Sequence, residues 1–136
     1  MTIKQFRERH SLLIEHYQFI EMHLEGIYAS VCDKRFYEGL QDVEKTNLFG
    51  LLADIEANEK ESNKTVIGTD DKEALRKIFP RRNYWVHNCY TDIVFDGKTD
   101  DIKKQADVDS LENDIRDAEV LRQRLYETYM QNRKLS

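Results

Sequence analysis

Leu13, Tyr17, Ile20, Leu24, Ile27 and Val31 follow one another at alternating steps of four and three residues. That spacing places all six on one face of a single long helix, running from Phe6 to about Cys32. Leu12 and Phe19 add a second apolar stripe beside the first. A helix apolar over so wide an arc cannot stand alone in water. It calls for partner helices in a bundle and for a further covered surface, such as a second subunit.

The rest of the chain supplies those partners. Phe36, Leu40 and Val43 continue in helical spacing, with Gly39 a weak point. Thr46 or Asn47 can cap a short helix carrying Leu48, Leu51, Leu52 and Ile55. The polar stretch from Glu59 to Thr69 predicts a loop. Asp70 or Asp71 then caps a helix that brings Leu75, Ile78 and Phe79 to Pro80, where a kink or a restart is expected. A helix follows over Arg81 to Val94, then a turn at Asp96-Gly97 and a polar connection from Lys98 to Asp107. Leu111, Ile115, Ala118, Leu121 and Leu125 mark a last helix over 109–132. With one proline and five glycines and no repeat, the 136 residues predict a single all-α domain, a bundle of four to five helices.

Several function classes drop out. No apolar run approaches the roughly 18 residues that span a bilayer, and the N-terminus has no signal-peptide apolar region, so a cytoplasmic protein without a membrane partner is expected. Cys32 and Cys89 make neither a disulfide framework nor a metal site, and are expected as reduced thiols. His16 and His23 are seven residues apart, whereas helical metal pairs need three or four. Asp96, Asp100 and Asp101 lack a calcium-loop pattern. No metal or cofactor is called for.

Charge is distributed unevenly. The net charge is −5, from 21 Lys and Arg against 26 Asp and Glu. Yet no acidic residue occurs between Ala74 and Thr91, a window that holds Arg76, Lys77, Arg81 and Arg82. Such a cationic island can hold a phosphate on an otherwise acidic body. On a helical projection of about 100° per residue, Arg82 falls near the middle of a sector formed by Leu75, Ile78, Phe79, Val86, Cys89 and Ile93. A guanidinium there is costly unless it is paired or has a task. His87 lies about 140° from Arg82, at the edge of the sector. Asn83, four residues before His87, shares its face and is placed to orient the imidazole.

The segment Arg82-Asn83-Tyr84-Trp85-Val86-His87 resembles the Arg-x4-His signature, with a polar residue directly after the arginine, of the HEPN superfamily (higher eukaryotes and prokaryotes nucleotide-binding domains). The match in detail covers about ten residues; the helix order agrees over nearly the whole chain. The resemblance implies a HEPN-like bundle, dimeric through the motif-bearing helix, with two motifs facing each other across a two-fold axis. It implies a metal-independent endoribonuclease of toxin or phage-defence type, with an antitoxin or regulatory protein as a further partner. Carried over by position, Arg82 and His87 are catalytic and Asn83 supports them. One subgroup has a modifiable tyrosine two residues after the histidine; here that place is Cys89, and Tyr90 comes one later.

The residue types suit RNA cleavage. A ribose 2′-hydroxyl attacking its own phosphate needs a proton carrier near neutrality and a cation for the phosphorane, tasks for histidine and arginine. Arg76, Lys77, Arg81, Tyr84 and Tyr90 are candidate RNA contacts, through phosphate or by base stacking, although Trp85 and Tyr90 flank the apolar sector and also suit a core or interface. Two alternatives stand beside the nuclease. One is a non-catalytic HEPN-like binding or assembly module, with Arg82 paired to an acid such as Glu25 or Glu44. The other is a regulatory partner whose broad first helix docks on another protein.

Overall fold

The computed structural model describes residues 1–43, 46–94 and 101–133. Five helices follow in order: α1 (Ile3–Val31), α2 (Phe36–Val43), α3 (Leu48–Ser62), α4 (Thr69–His87) and α5 (Gln105–Asn132), with a π-helical turn at Tyr90–Val94 after α4. The all-α bundle expected from the periodicity is present. The only β feature among the described residues is an isolated bridge between Thr2 and Asp101, beside which the Ile102 N–H donates to the Met1 carbonyl at 2.7 Å. The expected Asp96-Gly97 turn lies outside the described residues.

α1 is the axis of the molecule. Its first turn is closed by a capping box: the Gln5 N–H donates to the Thr2 hydroxyl and the Thr2 N–H to the Gln5 side chain. This satisfies donors that a helix start otherwise leaves open. Leu13, Tyr17, Ile20, Leu24 and Ile27 of its main stripe are buried, and Phe6 joins them. α5 packs along α1 more extensively than any other helix, with Leu111, Ile115, Ala118, Leu121 and Leu125 turned inward. Gly39 lets α2 approach α1 closely, because a Cβ there would stand 2.8 Å from Cys32 Sγ and 2.9 Å from Ala29 Cα.

α1 begins at Ile3 and α5 at Gln105, each a few residues before its expected start, and three further differences have a local reason. α3 continues through Ser62 instead of ending near Glu59. Glu59 points inward, where its carboxylate accepts from the Val66 and Ile67 N–H groups at 2.6 and 3.1 Å and pairs with Lys72 at 2.6 Å. Burial pushes its pKa up, but these donors outweigh that and hold it below the usual carboxylate value. A residue that read as loop polarity is thus the tie closing the loop. Asn63, in the left-handed region at φ 56°, ends the helix.

α4 is capped by Gly68, not by Asp70 or Asp71; Asp71 is buried in the first turn and accepts from Arg124 at 2.6 Å. Pro80 lies inside α4 without ending it, and the helix instead stops at His87. Asn47, one of the two expected caps, does cap α3, accepting from the Gly50 N–H at 2.7 Å.

His16 and His23 are buried on the α1–α5 seam. Arg122 donates to His16 Nδ1 at 3.2 Å and lies 3.8 Å over the Phe19 ring, so the second apolar stripe of α1 is partly covered from within the chain. Burial first, and then Arg122, push both imidazoles below their ordinary pKa of 6.5. Above that value both are neutral folded or unfolded, and stability is fully present. As pH falls below it, the unfolded chain takes up protons that the native state resists, so stability declines. Urea unfolding at pH 7.5 and 5.5 is expected to show a lower midpoint at the acid end, with a shallower pH slope in His16→Gln.

Candidate functional site

The last two turns of α4 carry the motif, and their orientation differs from the helical projection. Trp85 is the buried residue, at 0% exposure, and Val86 stands 44% exposed. Relative to the sector projected from residues 75–93, the inward face after Pro80 keeps Cys89 but takes in Trp85 and leaves Val86 outside. Arg82 therefore lies at the edge of the packed face, not at its centre. Its guanidinium forms an ion pair with Glu21 of α1, the two side chains being 31% and 24% exposed. The acid is Glu21, not Glu25; Glu44 lies outside the described residues.

Asn83 and His87 are exposed. Among the described residues no hydrogen bond joins them, so the expected orientation of the imidazole by the Asn83 amide is absent. Arg82 and His87 are separated by five residues, about 7.5 Å of helix rise, and no described hydrogen bond or ion pair brings them together. Arg82, Asn83, Val86 and His87 form a strip that is half-buried at its Arg82 end and exposed beyond it.

The cationic island of the sequence is largely neutralised in space. Arg76 Nη2 donates to both carboxylate oxygens of Glu56 at 2.8 and 2.9 Å. Arg81 Nε donates to Asp114 at 2.8 Å and its Nη2 to the Ser110 hydroxyl at 2.6 Å. Lys77 alone of the four has no ion pair among the described residues. Acidic residues absent from the local sequence come instead from α1, α3 and α5.

Tyr84 is also committed. Its hydroxyl donates to Asp92 at 2.7 Å, and the Arg81 guanidinium lies 5.4 Å from its ring centroid. Burial and the Asp92 carboxylate raise its pKa. A side chain tied at both ends has little freedom to stack on a base. Trp85, whose indole N–H donates to Asp114 at 2.6 Å, is core.

Tyr90 opens onto a cluster that the sequence did not indicate. Its hydroxyl donates to His10 Nδ1 at 3.2 Å, while His10 Nε2 lies 2.7 Å from the Trp85 carbonyl. A carbonyl only accepts, so Nε2 carries the hydrogen and Nδ1 receives the tyrosine proton. Phe6 stacks on the imidazole at 5.9 Å. Cys89 Sγ is 3.5 Å from Nε2 and donates to the Trp85 carbonyl at 3.2 Å. Burial raises the Cys89 thiol pKa, and a protonated Nε2 cannot accept its proton, so this trio ties α1 to the end of α4 and does not form a nucleophile–base pair. His10 is 75 residues from Trp85 in sequence, and nothing local marks the pairing.

Among the described residues no group of His, Cys, Asp and Glu is arranged to hold a metal ion, and no helix is long and apolar enough to cross a membrane. Comparison of the chain with protein-family models, with curated proteins and with solved structures finds no match.

Proposed function

We propose that this chain is a metal-independent endoribonuclease of HEPN type, acting in toxin or phage-defence systems at a site shared by two copies. The observation that carries the reading is the strip on α4. An arginine, an amide and an imidazole reach the surface on the last two turns, beside an uncovered Val86, while Trp85 on the adjoining face is held in the core. One copy leaves Arg82 and His87 apart, and a second α4 packed over Val86 would supply another set to the same cleft. There the 2′-hydroxyl attacks the adjacent phosphate, His87 carries the proton and Arg82 stabilises the phosphorane, giving a cyclic phosphate and a free 5′-hydroxyl.

The Arg82–Glu21 ion pair favours a second reading, a dimeric HEPN-like binding or assembly module in which Arg82 is structural. An antitoxin or regulatory protein covering the strip is compatible with either. Incubating the purified chain with total RNA in EDTA separates the two. Fragments ending in 2′,3′-cyclic phosphate, absent with His87→Ala, support the nuclease; intact RNA, or equal cleavage by the variant, moves the assignment to the module.

A further inference from the structure

A groove of about 330 Å³ lies between α4 and α5, on the side of α4 away from Asn83 and His87. Its walls are apolar, formed by Ala74 and Ile78 of α4 and by Val120 and Leu121 of α5, and Tyr17 of α1 lies at its base. Tyr17 is 2% exposed, and its hydroxyl has no hydrogen-bond partner among the described residues. Buried hydroxyls are nearly always paired, because an unpaired one has lost water without replacement. Burial also raises the pKa of this phenol, so at neutral pH it remains a donor in want of an acceptor.

The rim is charged. Arg124 pairs with Asp71 and Arg81 with Asp114, at 2.6 and 2.8 Å, so those four cancel. Lys77 and Arg116 remain, and Asp117 opposes them. Among the described residues Arg116 donates to the neutral Asn113 amide oxygen at 3.0 Å and lies within electrostatic reach of Glu112, itself paired with Arg9. One positive charge is left at the mouth of an apolar slot with a donor at its base.

From this arrangement we infer that the α4–α5 groove binds a small planar ring carrying an anionic group at one end and a hydrogen-bond acceptor at the other. The ring lies between Ile78 and Leu121, the anion meets Lys77 and Arg116, and the acceptor takes the Tyr17 O–H. The volume is that of a small-ligand pocket, and an apolar slot with a few placed polar groups is how such pockets select. Hydroxylated aromatic acids and pyrimidine nucleotides share this chemistry. The inference does not depend on the ribonuclease reading.

The test is NMR titration of the full chain with 4-hydroxybenzoate and with uridine 5′-monophosphate, using 4-hydroxybenzamide and inorganic phosphate as controls. Saturable shifts at Tyr17, Val120 and Leu121 are expected for at least one anionic ring; the one that binds tells an aromatic acid from a nucleotide. Tyr17→Phe is expected to weaken binding roughly tenfold, the loss of one hydrogen bond, without lowering Tm, since the hydroxyl has no hydrogen-bond partner among the described residues to lose. Ala74→Trp, which fills the slot, is expected to abolish binding in a folded protein. No saturable shift with either ring, the same shifts from phosphate alone, equal affinity for the uncharged amide, or unchanged binding in either variant would overturn the inference.

Discussion

Trp85→Ala is expected to be the most damaging single substitution in the chain, costing about 3–5 kcal/mol of folding free energy. The side chain is fully buried, and it sits where α1, α4 and α5 meet. Its ring contacts Phe6 and His10 of α1 at centroid distances of 6.5 and 6.3 Å. Its indole N–H shares Asp114 Oδ2 of α5 with Arg81 Nε. Alanine leaves a cavity and removes one of the two donors to a carboxylate that is itself half-buried. Trp85→Phe separates these contributions: it keeps most of the volume and loses the N–H, for a smaller cost of about 1–2 kcal/mol. Domains of this size hold only about 5–15 kcal/mol in total, so the alanine variant should unfold at a much lower urea concentration. Circular dichroism is the appropriate probe, since the chain has one tryptophan and the substitution removes the fluorophore. An alanine variant within 1 kcal/mol of wild type would mean that α4 is not anchored through this residue.

Trp85 also shows where a sequence stops being informative. The long stripe of α1 and the stripe of α5 are legible because a helix that faces one core for many turns repeats its apolar residues at a fixed period. An all-α bundle of four to five helices follows from such periodicity together with the capping residues. On α4 the period is interrupted by Pro80, and the projection put Val86 inside the apolar sector and Trp85 at its flank, suited to core or interface. Both lie within 60° or so of Arg82 on the helix, and tertiary packing against Phe6 and His10 decided between them. Charge partners were less legible still. Arg81 and Asp114 are 33 residues apart, Arg76 and Glu56 20 apart, and no local pattern links them. Glu59 read as loop polarity because two of its partners are backbone N–H groups, which every sequence has, and the third, Lys72, lies 13 residues on. The helix that carries the candidate residues was legible, but their exposure was not, since the projection put Arg82 in the middle of the apolar sector and Val86 inside it. Nor were their electrostatics, because the acid facing Arg82 comes from α1.

That acid gives the nuclease reading its sharpest test. If His87 carries the proton, His87→Ala is expected to slow RNA cleavage in EDTA by about 100-fold or more. Arg82→Ala is expected to do the same through loss of phosphorane stabilisation, and Arg82→Lys to recover little, since an ammonium lacks the planar fork. Arg82→Ala by itself is ambiguous, because it also breaks the ion pair with Glu21. Glu21→Gln resolves this. It removes the counter-charge while keeping the shape, and frees the guanidinium for a phosphate. A catalytic Arg82 predicts cleavage by Glu21→Gln at the wild-type rate or faster, whereas a structural Arg82 predicts that Glu21→Gln and Arg82→Ala lose stability alike, with no cleavage to compare. Mixing the Arg82→Ala and His87→Ala proteins tests whether the site is shared. A mixed dimer holds an intact arginine from one copy and an intact histidine from the other, so activity above either variant alone is expected if those two act together across the axis. Mixtures as inactive as their components, with dimer exchange verified, would confine the reacting pair to a single chain, where the geometry of α4 keeps Arg82 and His87 apart.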